Sequence, residues 1–130
     1  NRGVEGVCYW VALFEDGAWD VIQVIKPDAR ASSGRVDIPT EENRRITESL
    51  PQGAAVIAQV HSHLGSAFHS DRDDRNPYSF EPGFLSIVVP WGANESVRWP
   101  LDVKVYELVS YPRWRPLSPR EVARRVVTSG

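Results

Sequence analysis

The 130-residue chain holds a single cysteine, Cys8, and no methionine. One thiol cannot close an internal disulfide, so a reducing compartment is expected, with the cytoplasm as the default location. It also excludes any zinc site that needs a set of cysteines, so metal ligands here must be His, Asp or Glu. With Met absent even at the first position, the chain reads as part of a longer protein with more sequence before Asn1. No apolar run approaches the roughly 20 residues that cross a bilayer, and no basic-then-apolar leader opens the chain. A basic excess is missing too. The formal net charge of -2 argues against a nucleic-acid groove or an anionic membrane surface as partner.

What is present is an ordinary globular balance, 42% hydrophobic and 25% charged. The length suits one domain over residues 1–130. Val4 to Phe14 is rich in β-branched and aromatic residues and reads as a strand. Asp16-Gly17 supplies the preferred pair for a tight hairpin, and Trp19 to Ile25 reads as the returning strand. Lys26 to Pro39, with its Pro, Ser and Gly, reads as a loop. Thr40 is placed to cap a short helix, with Glu41 and Glu42 in the first turn, Ile46 and Leu50 on one face, and Pro51 and Gly53 ending it. Ala54 to His61 is a compact apolar run ending in polar residues, as in a buried central strand.

Ser62 to Pro82 is a long polar stretch of the kind that forms a functional loop or stays unstructured. Phe84 to Val89 and Val103 to Val109 are further strand candidates, separated by a loop from Pro90 to Pro100. Ser118-Pro119-Arg120-Glu121 is a capping box with Pro at the first helical position, followed by an apolar stripe of Val122, Ala123, Val126 and Val127. The order of elements predicts an α+β or α/β fold, a mixed central sheet flanked by helices.

The segment from His61 to Asp74 carries the chemistry. His61 and His63 are spaced i and i+2, and on extended backbone such side chains share a side, within reach of one ion. They close a buried strand, where loops build sites on a rigid scaffold. Ten residues on, Asp73 supplies a carboxylate that a turn can bring back, with Asp71 and Asp74 as competitors that the spacing favours less. Two histidines and one carboxylate leave zinc a fourth, open position, the pattern of catalytic rather than structural sites.

These residues resemble the motif of the JAB/MPN metallopeptidases, the JAMM proteases: His-x-His, a short loop, then Ser-x-x-Asp. Here the motif reads His61-Ser62-His63, a six-residue spacer, and Ser70-Asp71-Arg72-Asp73. The run Gly65-Ser66-Ala67-Phe68-His69-Ser70, followed by Asp73-Asp74, is similar to bacterial members with a shortened spacer. Those are often encoded beside ubiquitin-like conjugation genes, antiphage operons included. Leu64 stands where that family usually has proline.

The resemblance implies an MPN (JAB, cytidine-deaminase-like) architecture and one catalytic Zn2+ held by His61, His63 and Asp73. Glu5, at the head of an apolar run, takes the place of the family's general base, and Ser70 that of its oxyanion donor. The implied activity is that of an isopeptidase or peptidase cleaving after the C-terminus of a ubiquitin-like protein. Activating and conjugating enzymes of the same operon are the implied further partners.

Plainer readings stand beside these. Glu5 by itself reads as a solvated acid, and Ser70 as the cap of a turn. His69 reads as a loop residue that orients a carboxylate. Cys8, in an apolar strand, reads as core rather than nucleophile. Arg113-Trp114-Arg115 and Arg124-Arg125 read as solvated faces, and Trp91 and Trp99 as core packing. Two alternatives to the isopeptidase are a catalytically silent MPN scaffold and a JAMM-type peptidase acting on cell-wall or other peptides. A zinc deaminase, which needs a Pro-Cys-x-x-Cys pair, is excluded by the lone cysteine. So is a thermolysin-like protease, for want of His-Glu-x-x-His.

Overall fold

The computed structural model describes residues 7–27, 30–32, 35–62, 77–89 and 98–128. β1 (Val7–Glu15) and β2 (Ala18–Ile25) form an antiparallel hairpin. Its turn is the expected Asp-Gly pair, with φ of 52° at Asp16 and 82° at Gly17. Positive φ at both central residues matches the right-handed twist of the strands they join. Lys26 to Pro39, expected as a loop, contains two three-residue strands, β3 (Arg30–Ser32) and β4 (Arg35–Asp37), paired antiparallel. Strands this short carry no legible alternation, so their pairing is invisible to a periodicity argument.

α1 spans Thr40–Ser49. Thr40, expected to cap it, is instead its first helical residue. The N-cap is Pro39, whose extended backbone turns its carbonyl toward the amides of Glu42 (3.0 Å) and Asn43 (3.3 Å). Glu42, buried in the first turn, is held by a two-pronged bond from the Arg45 guanidinium at 2.9 and 2.8 Å. Ile46 is the helix's one fully buried apolar side chain.

β5 (Ala54–Ser62) is central to a seven-stranded mixed sheet whose order is β8 (Arg113–Leu117), β7 (Lys104–Ser110), β6 (Leu85–Val89), β5, β1, β2, β9 (Val126–Val127). β6 (Leu85–Val89) lies parallel to β5, and β7 (Lys104–Ser110) antiparallel to β6. β8 (Arg113–Leu117) pairs with β7 in the stretch expected as a solvated face. Its Arg115 bonds Glu107 on β7 (3.0 Å) and Glu121 (3.2 Å), and Arg125 closes on Glu107 at 2.8 Å. These charges tie the edge of the sheet to the final helix rather than facing water singly.

α2 (Pro119–Arg125) begins with the expected capping box, both reciprocal bonds between Ser118 and Glu121 being made. It stops before the end of its apolar stripe. Val126–Val127 form β9, which pairs parallel with Trp19 and Asp20 of β2. Among the described residues, no helix is long and apolar enough to cross a membrane.

Each face of the sheet carries its own cluster. On one side Tyr9, Val11, Val56, Phe84 and Leu108 gather around Ile46 of α1. On the other, Ala12, Ile57, Ala58, Leu85, Ile87 and Val105 pack with Val122 and Val126. Trp99 packs on this second face, its ring 5.0 Å from that of Trp10, as expected of a core residue. A β-bulge decides what β5 presents to each side. The register runs Trp10↔Ala58 but Val11↔Val56, leaving Ile57 as the extra residue. Because Ile57 and Ala58 both join the second cluster, the alternation restarts with Gln59 turned toward α1.

Candidate metal centre

His61 lies at the C-terminal end of β5, half-buried, opposite Val7 of β1. It follows Gln59 by two residues and so shares its face of the sheet. Of the residues expected to act with it, Glu5, His63, Ser70 and Asp73 lie outside the described residues, as do Leu64, His69, Asp71 and Asp74. Among the described residues, no group of three or more His, Cys, Asp or Glu lies together in a way that could hold a metal ion. His61 is the one expected metal ligand among the described residues.

Those surroundings are polar and directional. Gln59 is 3% exposed, inside an otherwise apolar run. Its Oε1 accepts the backbone N–H of Tyr78 at 2.8 Å, and its Nε2 lies 3.1 Å from Nε2 of His61. A backbone N–H can only donate, which assigns the amide oxygen to Tyr78 and turns the amide N–H toward His61. Nε2 of the imidazole then accepts and carries the ring's lone pair. That lone pair is taken up by the Gln59 N–H here; an ion that displaces this N–H would find in it the kind of nitrogen donor that a divalent ion such as zinc takes.

Tyr78 connects this polar contact to α1. Its hydroxyl shares a hydrogen bond with that of Thr47, and its ring meets Tyr9 edge-on with centroids 4.8 Å apart. Tyr9 in turn donates to Oδ1 of Asn43 at 2.8 Å. Burial pushes the Tyr9 phenol well above its ordinary range, which keeps it a neutral donor. Sequence reasoning missed both Gln59 and Tyr78. A polar residue two before His61 on a strand was a usable signal for Gln59. Tyr78, 19 positions further on, had none.

Two other features fall outside this centre. Cys8, on β1, is half-buried, and burial raises its thiol, with Lys26 offsetting part of the effect. A raised thiol is a poor nucleophile at neutral pH, in keeping with a packing role. A cavity of about 460 Å³, lined by Phe14, Trp19, Ala55, Pro82 and Phe84 among others, opens at the end of β5 opposite His61. Glu107 and Arg125 also line it, already joined in their ion pair.

No family model matches the chain. It is similar to a protein of Sinorhizobium fredii described as probable metalloprotease y4jG. The two are 34% identical over 136 aligned residues, which cover 98% of this chain and 81% of the relative.

Proposed function

The chain belongs to the metalloprotease family of that Sinorhizobium fredii relative, and from this membership we propose that it is a zinc-dependent peptidase of the JAB/MPN (JAMM) type, in architecture as in motif. The observation that carries the reading is the position of His61. It ends a buried strand and is paired with Val7, and β1 and β5 run antiparallel. In sequence, Glu5 precedes Val7 by two residues and His63 follows His61 by two.

In this reading His61, His63 and Asp73 hold one zinc ion. When bound, zinc supplies Lewis acidity, polarising the scissile carbonyl and lowering the pKa of water to about 7. Glu5 takes the proton from the attacking water and returns it to the leaving amine. Ser70 donates a hydrogen bond to the oxyanion that develops. The proposed substrate is the C-terminal junction of a ubiquitin-like protein, in precursor maturation or in release from a target lysine. A bacterial antiphage conjugation system, with its activating and conjugating enzymes, is the proposed setting. The run from Gly65 to Asp74 supports that choice of substrate.

The test combines zinc content with intact-mass detection of a tail clipped from a ubiquitin-like precursor. One zinc per chain, chelator-sensitive clipping, and a loss on the order of 10²–10⁴-fold in Glu5→Ala with zinc retained are expected. Undiminished clipping by Glu5→Ala would sink the mechanism. Zinc bound with no cleavage of any peptide substrate would make the protein a silent scaffold.

A further inference from the structure

We propose that Gln59 is a positioning residue that fixes which ring nitrogen of His61 carries the lone pair: its N–H holds Nε2 unprotonated, and a metal ion that takes Nε2 must displace that N–H. The part concerning metal rests on the zinc-peptidase reading above; the part concerning the ring does not.

The assignment follows from a chain of donors with one possible direction. The Tyr78 amide donates to Oε1 of Gln59 at 2.8 Å, which leaves the Gln59 amide N–H to face Nε2 of His61 at 3.1 Å. Gln59 is 3% exposed, so water does not readily replace either partner. A ring nitrogen that accepts carries no proton, and in a neutral imidazole the other nitrogen, Nδ1, must then carry it. The side chain on one strand residue thereby chooses the tautomer of the residue two positions on. Metal-binding histidines need this choice made, because only the unprotonated nitrogen can ligate.

Gln59 also joins two parts of the chain. Its partners, His61 and Tyr78, flank in sequence the segment that holds His63, Ser70 and Asp73. The bulge at Ile57 is what turns Gln59 and His61 to the face where Tyr78 sits. A metal ion and the Gln59 N–H would compete for the same lone pair, so metal uptake at Nε2 releases that N–H from its acceptor.

The test is nitrogen-15 NMR of the His61 ring in the full chain, with zinc added as the metal probe. In chelator-treated wild type, Nε2 is expected at the shift of an unprotonated nitrogen and Nδ1 at that of a protonated one. Gln59→Glu keeps an oxygen for Tyr78 but offers His61 an acceptor, and is expected to invert the two shifts. Gln59→Leu is expected to lower the share of rings in which Nε2 is unprotonated. A protonated Nε2 in wild type overturns the proposal, and so does a ring unchanged by both substitutions. That wild-type measurement holds even should a variant fail to fold. On adding zinc, the Gln59 side-chain amide proton is expected to move toward its free shift. The predicted tautomer with no response to zinc in any arm overturns the zinc reading and the metal part of this proposal, leaving the tautomer assignment standing.

Discussion

Ile46→Ala tests how α1 is held, and with it the support behind Tyr78. Ile46 is 1% exposed and is the only fully buried apolar side chain of α1, the other buried residue being Glu42. Deleting a buried isoleucine to alanine typically costs about 2–5 kcal/mol, the lost transfer energy plus the cavity left behind. Alanine's better helix propensity returns roughly 0.4 kcal/mol. The site is enclosed by Tyr9, Val11, Val56 and Leu108, which are fixed in the sheet and collapse poorly, so a net loss of about 3 kcal/mol is expected. For a chain of this length that lowers Tm by roughly 10 °C.

Urea denaturation in the presence of chelator measures this without metal linkage, and an unchanged slope would show that the unfolding reaction itself is the same. Ile46→Val should lose only about 0.5–1.5 kcal/mol, and Glu48→Ala, exposed on the same helix, less than about 0.5 kcal/mol. Because Thr47 of this helix bonds the Tyr78 hydroxyl, hydrogen exchange at the Tyr78 amide should quicken in Ile46→Ala beyond the global change. A loss under about 1 kcal/mol would refute the argument, since the apolar anchoring of α1 would then lie elsewhere.

Ser118→Ala should lose about 1 kcal/mol, because it removes the acceptor for the Glu121 amide at the head of α2. The same box carries a pH signature. Bonding from the Ser118 backbone N–H, then from Arg115, holds the Glu121 carboxyl below its ordinary value of 4.5. A depressed carboxylate adds stability that is complete above 4.5 and drains away as pH falls through the lower folded value, so Glu121→Gln should flatten the acid limb there. Ser86, buried beside Gln59 on β6, has no partner for its hydroxyl among the described residues. Ser86→Ala should leave thermal stability unchanged or raise it by up to about 1 kcal/mol, and a clear loss would mean that the hydroxyl makes a bond.

Local chemistry was legible in the chain as written. Asp16-Gly17 dictated the hairpin, because few pairs tolerate two positive φ values in succession. Ser118-Pro119-Arg120-Glu121 dictated where α2 starts, since its partners are three residues apart. The spacing of His61 and His63 was likewise a statement about neighbours, and the resemblance built on it led to the metalloprotease family. The cap of α1 misled, because Pro39 offers a carbonyl where Thr40 offered a hydroxyl, and the chain alone does not rank the two.

The remainder depended on partners distant in sequence. The strands β3, β4, β8 and β9 are defined by pairing, and strands of two to five residues have too little pattern of their own. The bulge at Ile57 turned Gln59 and His61 to the face of α1, and a bulge arises only when two strands are laid side by side. Tyr78 met Gln59 across 19 residues through a backbone amide, a group every residue but proline carries and no sequence pattern marks. Composition and spacing determined which side chains could do chemistry here. The tertiary fold decided which way the His61 lone pair points, because hydrogen-bond direction depends on what stands opposite.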